Sequence, residues 1–252
     1  MGRRSVPRPA CRWSRRNEGF TAHDMRRNST IILSLVFLLA AVFSIAGSCS
    51  AHLWLHDLFT PLATSLLLTL AASNWLAFKK NYALWIAIGL FFSLLGDTAL
   101  LRPAQYFLPG LVAFLFAHIA YLIAFTRDAK FPARFSIWLL FLFVAATLYW
   151  FLFPGLSGVL KLPVAVYALL LASMAGQAMG RYVHVRSVAA RIAAMGALLF
   201  MLSDALLSID RFRAPLPLAS TLILVPYFLG QWLMTLSTCD SWNAPVHRNP
   251  LV

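Results

Sequence analysis

GLFFSLLGDTALLRPAQYFLPGLVAFLFAHIAYLIAF, residues 89–125, decides the reading of this chain. Two apolar spans are joined by a short polar link, with Asp97 inside the first span and His118 and Tyr121 inside the second. A carboxylate in a membrane span costs about 3 kcal/mol on insertion scales, so such a group implies a partner or a task. The pattern returns at GALLFMLSD, residues 196–204, which sets Asp204 in another apolar span. In both copies a glycine lies eight residues before the aspartate, Gly89 before Asp97 and Gly196 before Asp204.

Composition agrees with a membrane reading. Apolar residues fill 61% of the 252 positions, charged residues only 12%, and mean hydropathy is +0.77. A soluble domain carries about 25% charged residues. The net charge of +13 would suggest nucleic acid in a soluble protein. Here it reads as membrane topology instead, and no nucleic-acid partner is expected. Cys11, Cys49 and Cys239 are too scattered for a disulfide framework or a CxxC metal site. His52 and His56 are four apart and precede Asp57, which a helical loop would turn into possible metal ligands. Interfacial histidines are the ordinary alternative, and neither a metal nor an organic cofactor is expected.

Residues 1–30 are basic, lack apolar periodicity and read as a disordered tail able to touch anionic lipid. Met25, followed by Arg26 and Arg27, offers an alternative start. The stretch from Met25 to Ala51 also mimics a signal peptide. Retaining it as a first helix, 31–47, completes an even number of spans. Seven more spans follow near 58–77, 82–101, 107–126, 135–153, 160–180, 190–209 and 217–237, each close to the ~20 residues that cross the hydrocarbon. The expectation is an all-α membrane domain over 31–238 with eight transmembrane helices and a short C-terminal tail, 239–252.

Lysine and arginine set the orientation. With the N-terminus inside, the inner segments hold 17 of the 21 basic residues, and the outer loops hold only Arg102, Lys161, Arg211 and Arg213. The positive-inside bias therefore puts both termini in the cytoplasm, as expected in a bacterial inner membrane. The third and seventh helices, which carry the aspartates, then run the same way. That suggests two parallel four-helix repeats, 31–126 and 135–237.

Helical spacing says which groups can meet. His118 and Tyr121 are three apart and share one face of the fourth helix, as do Tyr227 and Gln231, four apart, on the eighth. Ser93 precedes Asp97 by four, and Ser203 adjoins Asp204. Pro226 cannot donate to the carbonyl of Leu222 and should kink the eighth helix beside Tyr227. At ~1.5 Å per residue, Asp97 lies roughly 6 Å and Asp204 roughly 9 Å from the outer helix ends, with His118 and Tyr227 near the midplane. The two aspartates are expected to face one cavity with these side chains around it. Polar groups in bundles also serve simply as interhelical glue, worth ~0.6 kcal/mol per hydrogen bond.

In order along the chain, GLFFSLLGD, FLPGLVAFLFAHIAY, VYALLLASMAG, GALLFMLSDALLSIDRF and PYFLGQ resemble the successive motifs of the YhhN family over residues 58–237. That resemblance places Asp97, His118, Tyr121, Asp204, Tyr227 and Gln231 at the family's polar motif positions, and Ser93 and Ser203 lie beside them. The characterised members are lysoplasmalogenases, so it implies hydrolysis of the vinyl ether of a lysoplasmalogen, a lysophospholipid drawn from membrane lipid, to a fatty aldehyde and a glycerophospho-alcohol. Such chemistry needs a proton donor for the β-carbon and a carboxylate to stabilise the oxocarbenium ion or activate water. Two carboxylates close together in low dielectric can share one proton and supply both. Two other classes stay open on the residues alone. One is a proton-coupled or cation transporter using the aspartate pair. The other is a non-catalytic lipid-binding protein. Composition leaves the oligomeric state unspecified.

Overall fold

The computed structural model describes residues 22–50 and 52–239, with side chains from residue 26 onward. The expected tail up to residue 21 and the C-terminal stretch from 240 lie outside the described residues. The helices are α1 (Ala22–Ser48), α2 (Leu53–Phe78), α3 (Asn81–Leu100), α4 (Pro103–Phe125), α5 (Phe135–Leu152), α6 (Gly158–Val185), α7 (Val188–Phe212) and α8 (Ala219–Leu236), with a 3-10 turn at Phe153–Gly155 after α5. All eight are long and apolar enough to cross a membrane. Many large apolar side chains are exposed on their outer faces, including Leu35, Leu76, Phe143 and Leu202. The protein is an integral, multi-pass, all-α membrane protein.

The span boundaries fall within a few residues of those read from the sequence, except at α1. That helix begins nine residues before residue 31, inside the stretch read as tail. Its first turns contain Ala22, Met25, Arg26 and Arg27, which extend a helix once the apolar run has nucleated it. The Arg26 guanidinium also lies over the Phe78 ring at the end of α2, 5.0 Å from its centroid.

The two halves share several local features. Both second helices, α2 and α6, end on a basic residue in the left-handed region, Lys79 (φ 52°) and Arg186 (φ 55°). Each closes a capping bond, from Lys79 N–H to the Trp75 carbonyl and from Arg186 N–H to the Tyr182 carbonyl. Among the described residues, all four even-numbered helices carry an interior proline, Pro61, Pro109, Pro163 and Pro226, and the odd-numbered ones carry none. Pro109 removes a donor from α4, and three residues earlier Tyr106 leaves helical geometry at φ −118°, ψ 21°. Within each half, helices adjacent in sequence pack on one another, most extensively α3 on α4 and α7 on α8. The halves join where α4 packs on α6 and α8 packs on α2, the same exchange of fourth and second helices seen from either side.

The glycine eight residues before each aspartate marks these close approaches. A Cβ on Gly89 would collide with the Tyr121 ring of α4. One on Gly196 would stand 2.7 Å from the Gly230 carbonyl oxygen, and one on Gly230 would stand 2.8 Å from the Gly196 carbonyl oxygen. Thus α7 and α8 touch backbone to backbone. Gly196→Leu should part them and cost at least the ~1–3 kcal/mol of an overpacked core. A thermal midpoint in detergent equal to that of the parent protein would show that the contact is dispensable.

Candidate functional site

Each aspartate sits on the third helix of its half and takes a hydrogen bond from the second helix of the same half. Thr64 Oγ1 of α2 donates to Asp97 Oδ2, and Tyr167 Oη of α6 donates to Asp204 Oδ2 at 2.6 Å. The fourth helix of the other half then faces each carboxylate. Tyr227 of α8 adjoins Asp97 and interacts with it electrostatically. His118 of α4 brings Nε2 to 3.5 Å from Asp204 Oδ2. Local sequence explains the donors: Thr64 lies three residues after Pro61 and Tyr167 four after Pro163.

Hydrogen bonds sort the expected residues into two groups. Around Asp97, Tyr121 Oη donates to Gln231 Oε1 at 2.7 Å, and that leaves Ser93 as the donor across 3.2 Å to the same phenol oxygen. Gln231 Nε2 donates to Tyr227 Oη at 3.4 Å, which orients that phenol toward Asp97. The chain Ser93–Tyr121–Gln231–Tyr227–Asp97–Thr64 thus crosses four helices. Around Asp204 stand Tyr167 and His118. The imidazole is fully buried, and among the described residues neither of its nitrogens has a hydrogen-bond partner. Ser203 joins neither group, because its hydroxyl donates to the Ile223 carbonyl at 2.8 Å and pins α7 to α8.

Aromatic rings fill the space between the groups. Phe200 stands edge-on to His118 at 5.1 Å and to Tyr121 at 6.3 Å, and lies 5.5 Å from Tyr227. Phe114 packs edge-on against both Phe200 and Tyr227. Among the described residues no hydrogen bond or ion pair joins the two carboxylates. Two crevices meet at Asp204 and Tyr167. One is bounded by Leu100, Phe107, Leu111, Phe114 and Phe212, the other by Leu148, Leu152, Leu171 and Met201. Asp97 lines neither.

This arrangement offers a carboxyl flanked by a phenol and an imidazole, at the edge of two small apolar spaces. It suits moving a proton to or from an apolar molecule. A profile of the YhhN family matches residues 55–238. The chain belongs to the YhhN family. Similar curated proteins include lysoplasmalogenase TMEM86A of Bos taurus, 33% identical over 160 residues, which cover 62% of this chain and 65% of that one. Lysoplasmalogenase TMEM86B of Homo sapiens is 35% identical over 149 residues, covering 59% and 61%. Lysoplasmalogenase TMEM86B of Rattus norvegicus is 32% identical over 182 residues, covering 72% and 73%. The match thus spans less than two thirds of the length of the first two relatives. No solved structure matches. Every residue of both polar groups falls inside the YhhN region.

Sequence reasoning missed Thr64, Tyr167 and the separating rings of Phe114 and Phe200. A usable signal existed, since each missed hydroxyl stands about one turn past a proline inside an apolar span. It also missed a second polar network at the end where the even-numbered helices finish. Arg181, counted with an inner segment, is buried inside α6. Its Nε donates to Asp128 Oδ1 at 2.6 Å and one terminal nitrogen to Oδ2 at 2.8 Å, while the guanidinium lies over the Tyr82 ring at 4.7 Å. Gln177 donates to the Phe125 and Ala129 carbonyls and accepts from Ala133 N–H. At the opposite end, His56 of the His52–His56–Asp57 stretch lies against Ser44 and Thr60, and Asp57 pairs with Arg102 at 2.8 Å.

Proposed function

We propose that this protein is a membrane lysoplasmalogenase, hydrolysing the vinyl ether of a single-chain ether phospholipid to a fatty aldehyde and a glycerophospho-alcohol. The observation that carries this reading is the Asp204 carboxyl, held by Tyr167 and faced by an otherwise unbonded His118, beside two apolar crevices inside the bundle. The names of the mammalian relatives point to the same substrate. In the first step the acid group transfers a proton to the β-carbon of the vinyl ether, and the positive charge moves to the α-carbon as an oxocarbenium ion. Water adds to that carbon and gives its extra proton to the carboxylate. The carboxyl then protonates the glycerol oxygen of the hemiacetal, the bond from that oxygen to the hemiacetal carbon breaks, and the hemiacetal hydroxyl returns its proton to the carboxylate, which releases fatty aldehyde and glycerophospho-alcohol. Asp204 is the proton carrier in this scheme. Tyr167 holds its carboxyl, and the imidazole of His118 steadies the incoming water. The Asp97 chain completes the catalytic pair, with Tyr121, Tyr227, Gln231 and Ser93 shaping the substrate-binding side.

The deciding experiment incubates purified protein with a lysoplasmalogen and with its 1-acyl counterpart and measures fatty aldehyde. Aldehyde from the first alone is expected. None from either, in protein that remains folded, would defeat the hydrolase reading and leave the transporter and the non-catalytic lipid-binding protein. Tyr167→Phe removes the donor and keeps the ring. It should slow turnover about tenfold, the effect of one lost hydrogen bond of ~1–1.5 kcal/mol. Unchanged turnover would remove Tyr167 from the scheme.

The proposed setting is a bacterial inner membrane with both termini in the cytoplasm. Reporter fusions after Arg127 and Arg191 should then read cytoplasmic, and fusions near His52 and Ser157 external. A cytoplasmic signal at His52 would break this topology. A protein trimmed to start at Met25 should still insert and turn over substrate.

A further inference from the structure

The Asp204–Tyr167 pair separates the two crevices, and their surroundings differ. The crevice between α5, α6 and α7 is lined by Leu148, Leu152, Leu171 and Met201. It shares Leu148 with a shallow groove along the outer face of α5, where Phe143, Val144, Trp150 and Phe151 are exposed. Only Ala145 and Leu152 of that helix are buried, so in a bilayer the groove borders hydrocarbon. The second crevice runs past Leu111 and Phe107 to Phe212, the last residue of α7. Arg211 lies over the Phe107 ring there, 5.2 Å from its centroid.

Depth gives the crevices a direction. At ~1.5 Å per residue, Asp204 is about 12 Å from the Phe212 end of its helix and Met201 about 16 Å. Leu171 is about 20 Å from the start of α6 at the same end of the bundle. The first crevice therefore runs from the end of α5 at Leu152 past the carboxyl to mid-bilayer at Leu171 and Met201, whereas the second stays on the side of the membrane surface that carries arginine. A vinyl ether lies where a lipid's chain meets its glycerophosphate. A bond placed at Asp204 needs an apolar space on one side and a path to a charged interface on the other.

We propose that the α5–α6–α7 crevice is the subsite for the alkenyl chain, which enters sideways from the bilayer past α5 and points toward mid-membrane. This rests on the hydrolase reading for its substrate. Moving a chain from lipid to a leucine-lined crevice gains little, because lipid tails are as apolar as leucine. The crevice holds only about 30 Å³ as it stands, so a chain must part α5 from α6 and α7 to enter, and the bulk of the side chains lining it sets which chains fit.

Ala168 lines the crevice, and its neighbour Leu169 is exposed. Ala168→Phe should lower kcat/KM for a long-chain lysoplasmalogen by about tenfold or more, the scale of a lost fit in an apolar pocket. A short-chain analogue should be affected by less than about threefold, so that the ratio of the two constants moves. Met201→Trp should act the same way, and Leu169→Phe should leave the ratio unchanged. Equal losses on both chains, or none in either crevice variant, would overturn the subsite. If the parent protein makes no aldehyde from either lipid, the hydrolase reading fails, and a binding measurement decides the subsite alone. A non-hydrolysable alkyl-ether lysolipid with a diazirine near its methyl end, in phosphatidylcholine vesicles, should cross-link peptides holding Leu171 or Met201. Ala168→Phe should reduce that labelling. Labelling confined to exposed positions of α1 or α5 would overturn the proposal.

Discussion

Asp204→Asn should lower lysoplasmalogen turnover by ~10²- to 10⁴-fold, the usual worth of a positioned general acid, while the protein stays folded in the membrane. Asparagine has the size of aspartate, and its side-chain oxygen can still accept the 2.6 Å bond from Tyr167. The change therefore removes an ionisable group and little else. Aldehyde release measured beside the thermal midpoint separates lost chemistry from lost fold. Asp97→Asn should also remove most turnover, because Asp97 ends the Ser93–Tyr121–Gln231–Tyr227 relay. If the carboxyls work as a unit, the double variant should be no slower than the worse single one. Multiplying losses would mean that the two sites act separately, and full activity in either asparagine variant would sink the catalytic assignment of that residue.

The fold was legible because hydropathy, helix length and basic loops report the same spans. Backbone groups in lipid must be bonded within each helix, so an apolar run of the right length leaves few other structures. The start of α1 was not legible, since Arg26 is held by Phe78, a residue some fifty positions away. Site membership was partly legible. A carboxylate or imidazole among leucines is conspicuous, and Asp97, Asp204 and His118 stand out on that ground. Thr64 and Tyr167 do not, because threonine and tyrosine are ordinary in apolar helices and their importance depends on which carboxylate they meet. Helical spacing tied His118 to Tyr121 and Tyr227 to Gln231. It could not show that α4 and α8 exchange between halves, so that His118 faces Asp204 and Tyr227 faces Asp97. Ser203 illustrates the reverse error of adjacency. Consecutive residues on a helix point about 100° apart, and its hydroxyl bonds to Ile223 of α8.

Removing the more exposed partner of the Arg181–Asp128 pair should do the greater damage. The Asp128 side chain is 43% exposed and that of Arg181 only 5%. Asp128→Ala strands a guanidinium inside the bundle, with the ring and the hydroxyl of Tyr82 as its remaining charge-stabilising contacts among the described residues. Arg181→Met strands a carboxylate that already reaches water, and it fills the buried space with an apolar chain of similar length. Breaking a buried pair from one side costs ~3–5 kcal/mol, and water entering through the gap left by Asp128 holds this case near ~3. For Arg181→Met the cost should be nearer ~1 kcal/mol, as for an exposed pair. The same loop, residues 126–134, is held by Gln177 through the Ala129 carbonyl and the Ala133 N–H, with a third bond to Phe125 at the end of α4, so it stays docked in both variants, and the difference reports the stranded charge. Thermal midpoints in detergent should order parent above Arg181→Met above Asp128→Ala. The double variant should recover most of the Asp128→Ala loss, because no charge is left buried. A double variant less stable than Asp128→Ala would mean that Arg181 stabilises the bundle by its packing, and that the ion pair itself contributes little.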